Sequence, residues 1–198
     1  MLESHKNLNS QLISEGTIII PKEDIPLTEN DWETLCTTLD HLEYEDIYQG
    51  DLDEATSVKV FRIKKENDPT TYHPQLVAII NSPSMRKYLS SILEIDDCII
   101  DRYQCHVYHE GDFVGKHQDN KSCSDYEYAF IIHLDGQYEG GEFCVYNTYE
   151  STPSHTYRPP RYSLMITKCS LPHEVKKVTK GERKVIAGFL KSDTPSTH

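Results

Sequence analysis

Two histidines, one aspartate and one arginine, spread over residues 117–183, are the residues of this 198-residue chain whose types and spacing could do chemistry together. His117 and Asp119 form a His-x-Asp pair. His173 follows inside Pro172-His173-Glu174-Val175, and Arg183 comes later, in Gly181-Glu182-Arg183. Two imidazoles and a carboxylate on three corners of a metal, with the opposite face open, suit a non-haem Fe(II) centre. At the end of a strand, residues two apart point to the same face, so His117 and Asp119 can reach one ion. An arginine beyond the metal could grip a dicarboxylate bidentately, which suits a 2-oxo acid whose other end chelates the ion.

Those residues need strands to hold them, and from Cys98 onward the chain reads as strands. Ile99 to Tyr108, Tyr128 to Leu134, Gly141 to Tyr146, Tyr162 to Thr167 and Lys184 to Leu190 are short β-rich runs with turn residues between them, as in a sandwich or barrel. Along the first, Tyr103, Cys105 and Val107 share one face, and Arg102, Gln104, His106 and Tyr108 the other. If Tyr108 points into the barrel, Gln104, His106 and Arg102 line a polar substrate pocket with it, fit for a substrate with charge or hydrogen-bonding groups. The Pro/Ser/Thr-rich stretch Thr148 to Pro160 reads as a long surface loop.

The first half reads as support. Residues 1–15 are polar and read as a flexible arm. Thr17-Ile18-Ile19-Ile20 is a strand ended by Pro21. Thr28 starts a helix in which Trp32, Leu35, Leu39 and Leu42 recur at helical spacing, to about Glu43. The acidic stretch Glu43 to Glu54 reads as a loop, Ser57 to Ile63 as a strand and Lys64 to Pro74 as another polar loop; both loops are candidate lids. Leu76 to Ile80 form a helix, and Ser82-Pro83 cap a third, with Met85, Leu89, Ile92 and Leu93 inward. The expected organisation is one domain over 1–198: an arm (1–15), a support region (16–97) and a catalytic core (98–192).

Composition narrows the function classes. Lys and Arg number 20 against 32 Asp and Glu, a net charge of -12, and a phosphate backbone would be repelled by that field, so no nucleic-acid partner is expected. The mean hydropathy is -0.60. No apolar run approaches the roughly 20 residues that span a bilayer, and no secretory signal opens the chain. Six scattered cysteines without a Cys-x-x-Cys read as reduced residues of a cytoplasmic protein. Oligomeric state is not legible.

As an ordered set, Tyr108-x-x-Gly111, His117-x-Asp119, the strand ending Ile132-His133-Leu134, Gly140-Gly141, His173-Glu174-Val175 and Gly181-x-Arg183 resemble one family. It is the prolyl 4-hydroxylase-like branch of the Fe(II)/2-oxoglutarate-dependent dioxygenases, and the similarity runs from about Asp101 to Leu190. The resemblance implies an α+β, mainly β fold: a double-stranded β-helix (jelly-roll) core with N-terminal helices buttressing its larger sheet. It implies His117, Asp119 and His173 as iron ligands and catalytic centre, Arg183 as the salt bridge to the distal carboxylate of 2-oxoglutarate, and Tyr108 as a further cosubstrate contact. His133 stands where many members have a tyrosine, so that contact falls to His133 or to water.

The implied cofactors are Fe(II), 2-oxoglutarate and O2, with ascorbate a candidate reductant. The implied reaction is hydroxylation of an unactivated C–H, with 2-oxoglutarate decarboxylated to succinate. The substrate would be a small molecule or peptide: a prolyl or other amino-acid residue, a free amino acid or a small metabolite. Because Asp119 supplies the third ligand, no site is freed for a halide, which favours hydroxylation over halogenation. Two other readings compete. A nucleic-acid demethylase of the same superfamily would carry Arg-x-Asn-x-x-x-x-x-Arg, which the residues after Arg183 lack. A cupin-like metal-binding or sensor protein would use the triad for another divalent ion, but would have no need of Arg183.

Overall fold

In the computed structural model, residues 2–49, 56–63, 73–96, 98–135 and 137–192 are described. The chain begins with helix α1 (Leu2–Glu15) where a flexible arm was expected. Its polar sequence hides a narrow apolar stripe. Leu12 is fully buried, Leu8 packs on the same core, and Asn9 donates to the Ile92 carbonyl at 2.8 Å, while Ile13 stays 62% exposed. Such a helix is held by its docking and not by its propensity. Gly16 stops it at φ +76, a conformation that glycine adopts freely, and a Cβ there would meet Leu171 at 2.2 Å.

Strand β1 (Thr17–Ile20) and helix α2 (Glu29–Leu39) follow. α2 opens with a capping box: Asp31 N–H donates to Thr28 Oγ1, and Thr28 N–H to Asp31 Oδ2. It ends at Leu39, short of the Glu43 expected from spacing; Leu42 packs on the core from outside the helix. The acidic stretch expected as a loop contains strand β2 (Glu45–Gln49), paired with β3 (Thr56–Ile63) in the register Ile47↔Val58. A sheet partner supplies the backbone bonds that this sequence, without apolar alternation, does not advertise. Residues 50–55 and 64–72, most of the two candidate lids, lie outside the described residues, as does His198.

Helices α3 (Pro74–Ile80) and α4 (Pro83–Leu93) each carry proline in the first turn, and Ser82 caps α4 by accepting from Met85 N–H. The strands are β4 (Cys98–Tyr108), β5 (Phe113–His117), β6 (Tyr128–Asp135), β7 (Tyr138–Gly140), β8 (Phe143–Val145), β9 (His155–Tyr157), β10 (Ser163–Lys168), β11 (His173–Val175), β12 (Val178–Gly181) and β13 (Arg183–Ser192). Two expectations change here. The strand expected from Gly141 to Tyr146 is shortened to β8, and Gly140 and Gly141, both at positive φ (+72 and +66), separate it from β7, which lies in its own ribbon with β12. The loop Thr148 to Pro160 contains β9, paired along β8.

All the pairs are antiparallel, and the main sheet runs β1-β10-β6-β13-β4-β3-β5-β11-β8-β9, with β2 beside β3. β3 makes the curl. Its residues 59–63 pair with β4, and Thr56 and Ser57 pair with β5. One bent strand therefore belongs to both layers of a mainly β double-stranded β-helix. Side-chain alternation sorts two cores. Phe130, Ile132 and Leu134 of β6 face the helices with Leu35, Leu89 and Ile92; Ile131 faces inward with Val58, Phe143, Val175 and Val185. Among the described residues no helix is long and apolar enough to cross a membrane, and no cysteine is in a disulfide.

Candidate active site

The two histidines are brought together by strand register. β11 pairs with β5 so that His173 lies opposite His117, and the ring centroids are 4.3 Å apart. Gln118 is extended (φ -127, ψ 130), which keeps Asp119 on the face of His117 before the chain turns into a short 3-10 helix (Asp119–Lys121). Asp119 Oδ1 then lies 3.4 Å from His117 Nε2, and Oδ2 3.4 Å from His173 Nε2. The three ligating atoms fall within 4.8 Å of one another, a spacing one metal ion fits.

The imidazoles are oriented from behind. His117 Nδ1–H donates to the Gly115 carbonyl at 2.8 Å and His173 Nδ1–H to that of Leu171 at 2.9 Å, which leaves each Nε2 lone pair turned to the centre. Phe143 stacks on His173 at 5.1 Å. Burial pushes the Asp119 carboxyl up, but His173, His117 and His106 around it outweigh that and hold it below the ordinary carboxylate value. Burial holds His173 below the usual imidazole value, against the pull of Asp119. An ionised carboxylate and neutral imidazoles are the protonation states that a divalent metal requires.

The other end of the pocket is Arg183, the first residue of β13, opposite Tyr108 in register. Its guanidinium sits 4.8 Å from the Tyr108 ring. The side chain is only 2% exposed, and among the described residues Nε and Nη1 have no hydrogen-bond partner. The same holds for His133 Nε2, 3% exposed on β6. Burial and the charge of Arg183 hold His133 well below the usual imidazole value, so it is neutral. Buried polar atoms without partners are costly. Here they fit a bound anion such as the distal carboxylate of a dicarboxylate.

Between these ends lies a cavity of about 110 Å³. His117, Asp119, His173 and Arg183 line it, with a polar wall of Gln104, His106 and Tyr108 from β4 and an apolar wall that includes Ile131, Val185, Ala187 and Phe189. The alternation read along β4 therefore brings Gln104, His106 and Tyr108 to one cavity. Two expected residues are not on its wall. Arg102, one step further along β4, reaches the cavity through Gln104 alone, its guanidinium 2.7 Å from that amide. His133 lines a separate space of about 270 Å³ with Arg158, Arg161 and Lys184. His109, whose type also invites a metal role, is half-exposed and pairs with Glu182 at 3.2 Å. Sequence reasoning missed Phe143 and the Gly115 and Leu171 carbonyls; backbone acceptors carry no residue-type signal at all.

Residues 103–191, just under half of the chain, match the family model described as the 2OG-Fe(II) oxygenase superfamily. No curated protein matches the chain in sequence. Solved structures share the fold at low identity. An oxidoreductase of the 2OG-Fe(II) oxygenase family from Burkholderia pseudomallei superimposes with a TM-score of 0.83 at 22% identity, covering 94% of this chain and 90% of its own. A prolyl hydroxylase from Trichoplax adhaerens, in complex with a hypoxia inducible factor oxygen degradation domain peptide fragment, gives 0.71 at 15% identity, covering 97% and 90%. The non-heme alpha ketoglutarate dependent epimerase SnoN from nogalamycin biosynthesis gives 0.75 at 8% identity, covering 97% and 84%.

Proposed function

We propose that this chain is a 2OG-Fe(II) oxygenase, a reading supported by the family-model match over residues 103–191, and that it hydroxylates an unactivated C–H bond of a polar, amino-acid-like substrate. The family uses Fe(II), 2-oxoglutarate and O2. The bound iron would supply O2 activation coupled to decarboxylation of 2-oxoglutarate to succinate. His117 and His173 would hold it through Nε2 and Asp119 through a carboxylate oxygen, in orientations set before the metal arrives. Arg183 would hold the distal carboxylate of 2-oxoglutarate, with the Tyr108 hydroxyl as a further contact. The apolar wall of Ile131, Val185, Ala187 and Phe189 would keep water from the reacting centre. Gln104 and His106 would meet the substrate's hydrogen-bonding groups.

The observation that carries this reading is the buried guanidinium of Arg183, whose Nε and Nη1 have no partner among the described residues, in the same pocket as the His-Asp-His cluster. A metal site alone gives no reason to bury a cation without a counter-ion. The peptide-bound hydroxylase among the similar folds supports a prolyl or other amino-acid residue as substrate. A free amino acid or a small metabolite has the same groups. Anaerobic addition of Fe(II) and 2-oxoglutarate to the metal-free protein should produce the visible metal-to-ligand charge-transfer band of the chelate. A folded, iron-loaded protein without that band would refute the reading and leave a metal-binding protein in its place.

A further inference from the structure

The polar wall of β4 is a chain of hydrogen bonds with a direction. A guanidinium has only donors to offer, so the Gln104 amide must turn its oxygen to Arg102, 2.7 Å from Nη2 and 3.1 Å from Nε. That turns the amide nitrogen, which can only donate, to His106 Nε2 at 3.0 Å. His106 Nε2 is thereby the acceptor, and a neutral imidazole that accepts at Nε2 carries its proton on Nδ1. Nδ1 lies 3.1 Å from the Tyr108 hydroxyl, so Nδ1–H donates to the phenolic oxygen. The hydroxyl proton of Tyr108 cannot then be given back to His106.

We infer that Gln104 and His106 are positioning residues: the Arg102–Gln104–His106 relay fixes the His106 tautomer so that Tyr108 offers its O–H as a donor to an anionic ligand beside Arg183. The donor needs that direction because an ionised carboxylate only accepts. The strand supplies the geometry, since Arg102, Gln104, His106 and Tyr108 alternate onto one face and each reaches the next. Arg102 thus acts on the pocket without lining it. The identity of the anion as 2-oxoglutarate rests on the function proposed above; the direction of the relay does not.

The test therefore has two arms. In metal-free protein labelled with 15N-histidine, long-range 1H–15N correlation reads which ring nitrogen of His106 bears the proton, the resonance being identified by its loss in H106N. Nδ1–H is expected in the wild type, and both tautomers in Gln104→Leu; a proton on Nε2 in the wild type overturns the inference. In iron-loaded protein, anaerobic 2-oxoglutarate titration compares two amides. The side-chain amide nitrogen introduced by H106N stands near the Nδ1 position and can donate to Tyr108, whereas that of H106Q reaches only the Nε2 position. H106Q should weaken 2-oxoglutarate binding roughly tenfold, the order of one hydrogen bond to a charged acceptor, and H106N should restore most of that loss. Equal weakening in both overturns the inference. If the wild type gives no band, the oxygenase reading falls, and the histidine spectrum still decides the direction of the relay.

Discussion

The two ends of the pocket are built on opposite principles. At the metal end the ligands are oriented by the protein itself: His117 and His173 donate to backbone carbonyls and turn their Nε2 atoms toward Asp119, whose carboxylate lies 3.4 Å from both. At the arginine end, Arg183 and His133 are buried with nitrogens that have no partner among the described residues. The first end holds its shape before anything binds. The second carries a deficit that only a ligand can fill, and such a deficit costs stability in the free protein. The difference says where binding energy should appear: metal affinity in preorganisation, cosubstrate affinity in relief of an unpaired buried charge.

The sharpest way to break this contrast is at Asp119. Asp119→Ala removes the only anionic ligand, so Fe(II) affinity should fall by at least about a hundredfold, the upper end of what outer-shell partners alone cost. Equilibrium dialysis with Fe(II) or Mn(II) reads this, and a small loss would mean the cluster is not the metal site. Arg183→Met comes next. It should weaken 2-oxoglutarate by about a hundredfold, or about 2.7 kcal/mol, within the range for truncating one partner of a buried charge pair. Metal affinity should not change. In the ligand-free protein the same substitution should leave urea stability equal or raised, because an uncompensated buried cation is replaced by an apolar chain of similar size. A destabilised Arg183→Met would show that the guanidinium is structural.

His133 gives a smaller effect, read by pH. Its folded pKa lies well below its unfolded value near 6.5, through burial and the neighbouring Arg183 charge. The unfolded chain then binds the extra proton, so this contribution to stability is fully present above pH 6.5 and is lost as pH falls below it, at about 1.4 kcal/mol per pH unit. His133→Asn should flatten that slope in urea melts between pH 6.5 and 5, and an unchanged slope would reject the assignment. The smallest effect should come far from both ends. Asn9→Ala leaves the Ile92 carbonyl without its side-chain donor and should cost about 1 kcal/mol, with metal and 2-oxoglutarate binding unchanged.

Legibility in the sequence follows the range of the interaction. Thr28 and Ser82 announce their helices because a cap is made within three residues. The α1 helix and the β2 strand escape a sequence reading because what holds them is tertiary: Leu12 and Asn9 against α4, and the backbone of β3. At the site, Arg102 belongs to the face that alternation assigns it, yet it stands one residue beyond the cavity, since periodicity gives a face and no depth. His133 has a similar origin. Its neutrality comes from its burial and from the charge of Arg183, fifty positions away in the chain.

By itself the sequence determined the kinds of ligand and their local geometry. One extended residue between His117 and Asp119 puts both on one side, and alternation along β4 strings Gln104, His106 and Tyr108 on another. Only the tertiary structure decided that these become one pocket. The β5–β11 register sets His173 against His117, the β4–β13 register sets Arg183 against Tyr108, and β3 bends from one layer to the other to close the space between. The physical reason is that strand geometry is local, with a period of two residues, whereas register is chosen by which faces the folded sheet can bury.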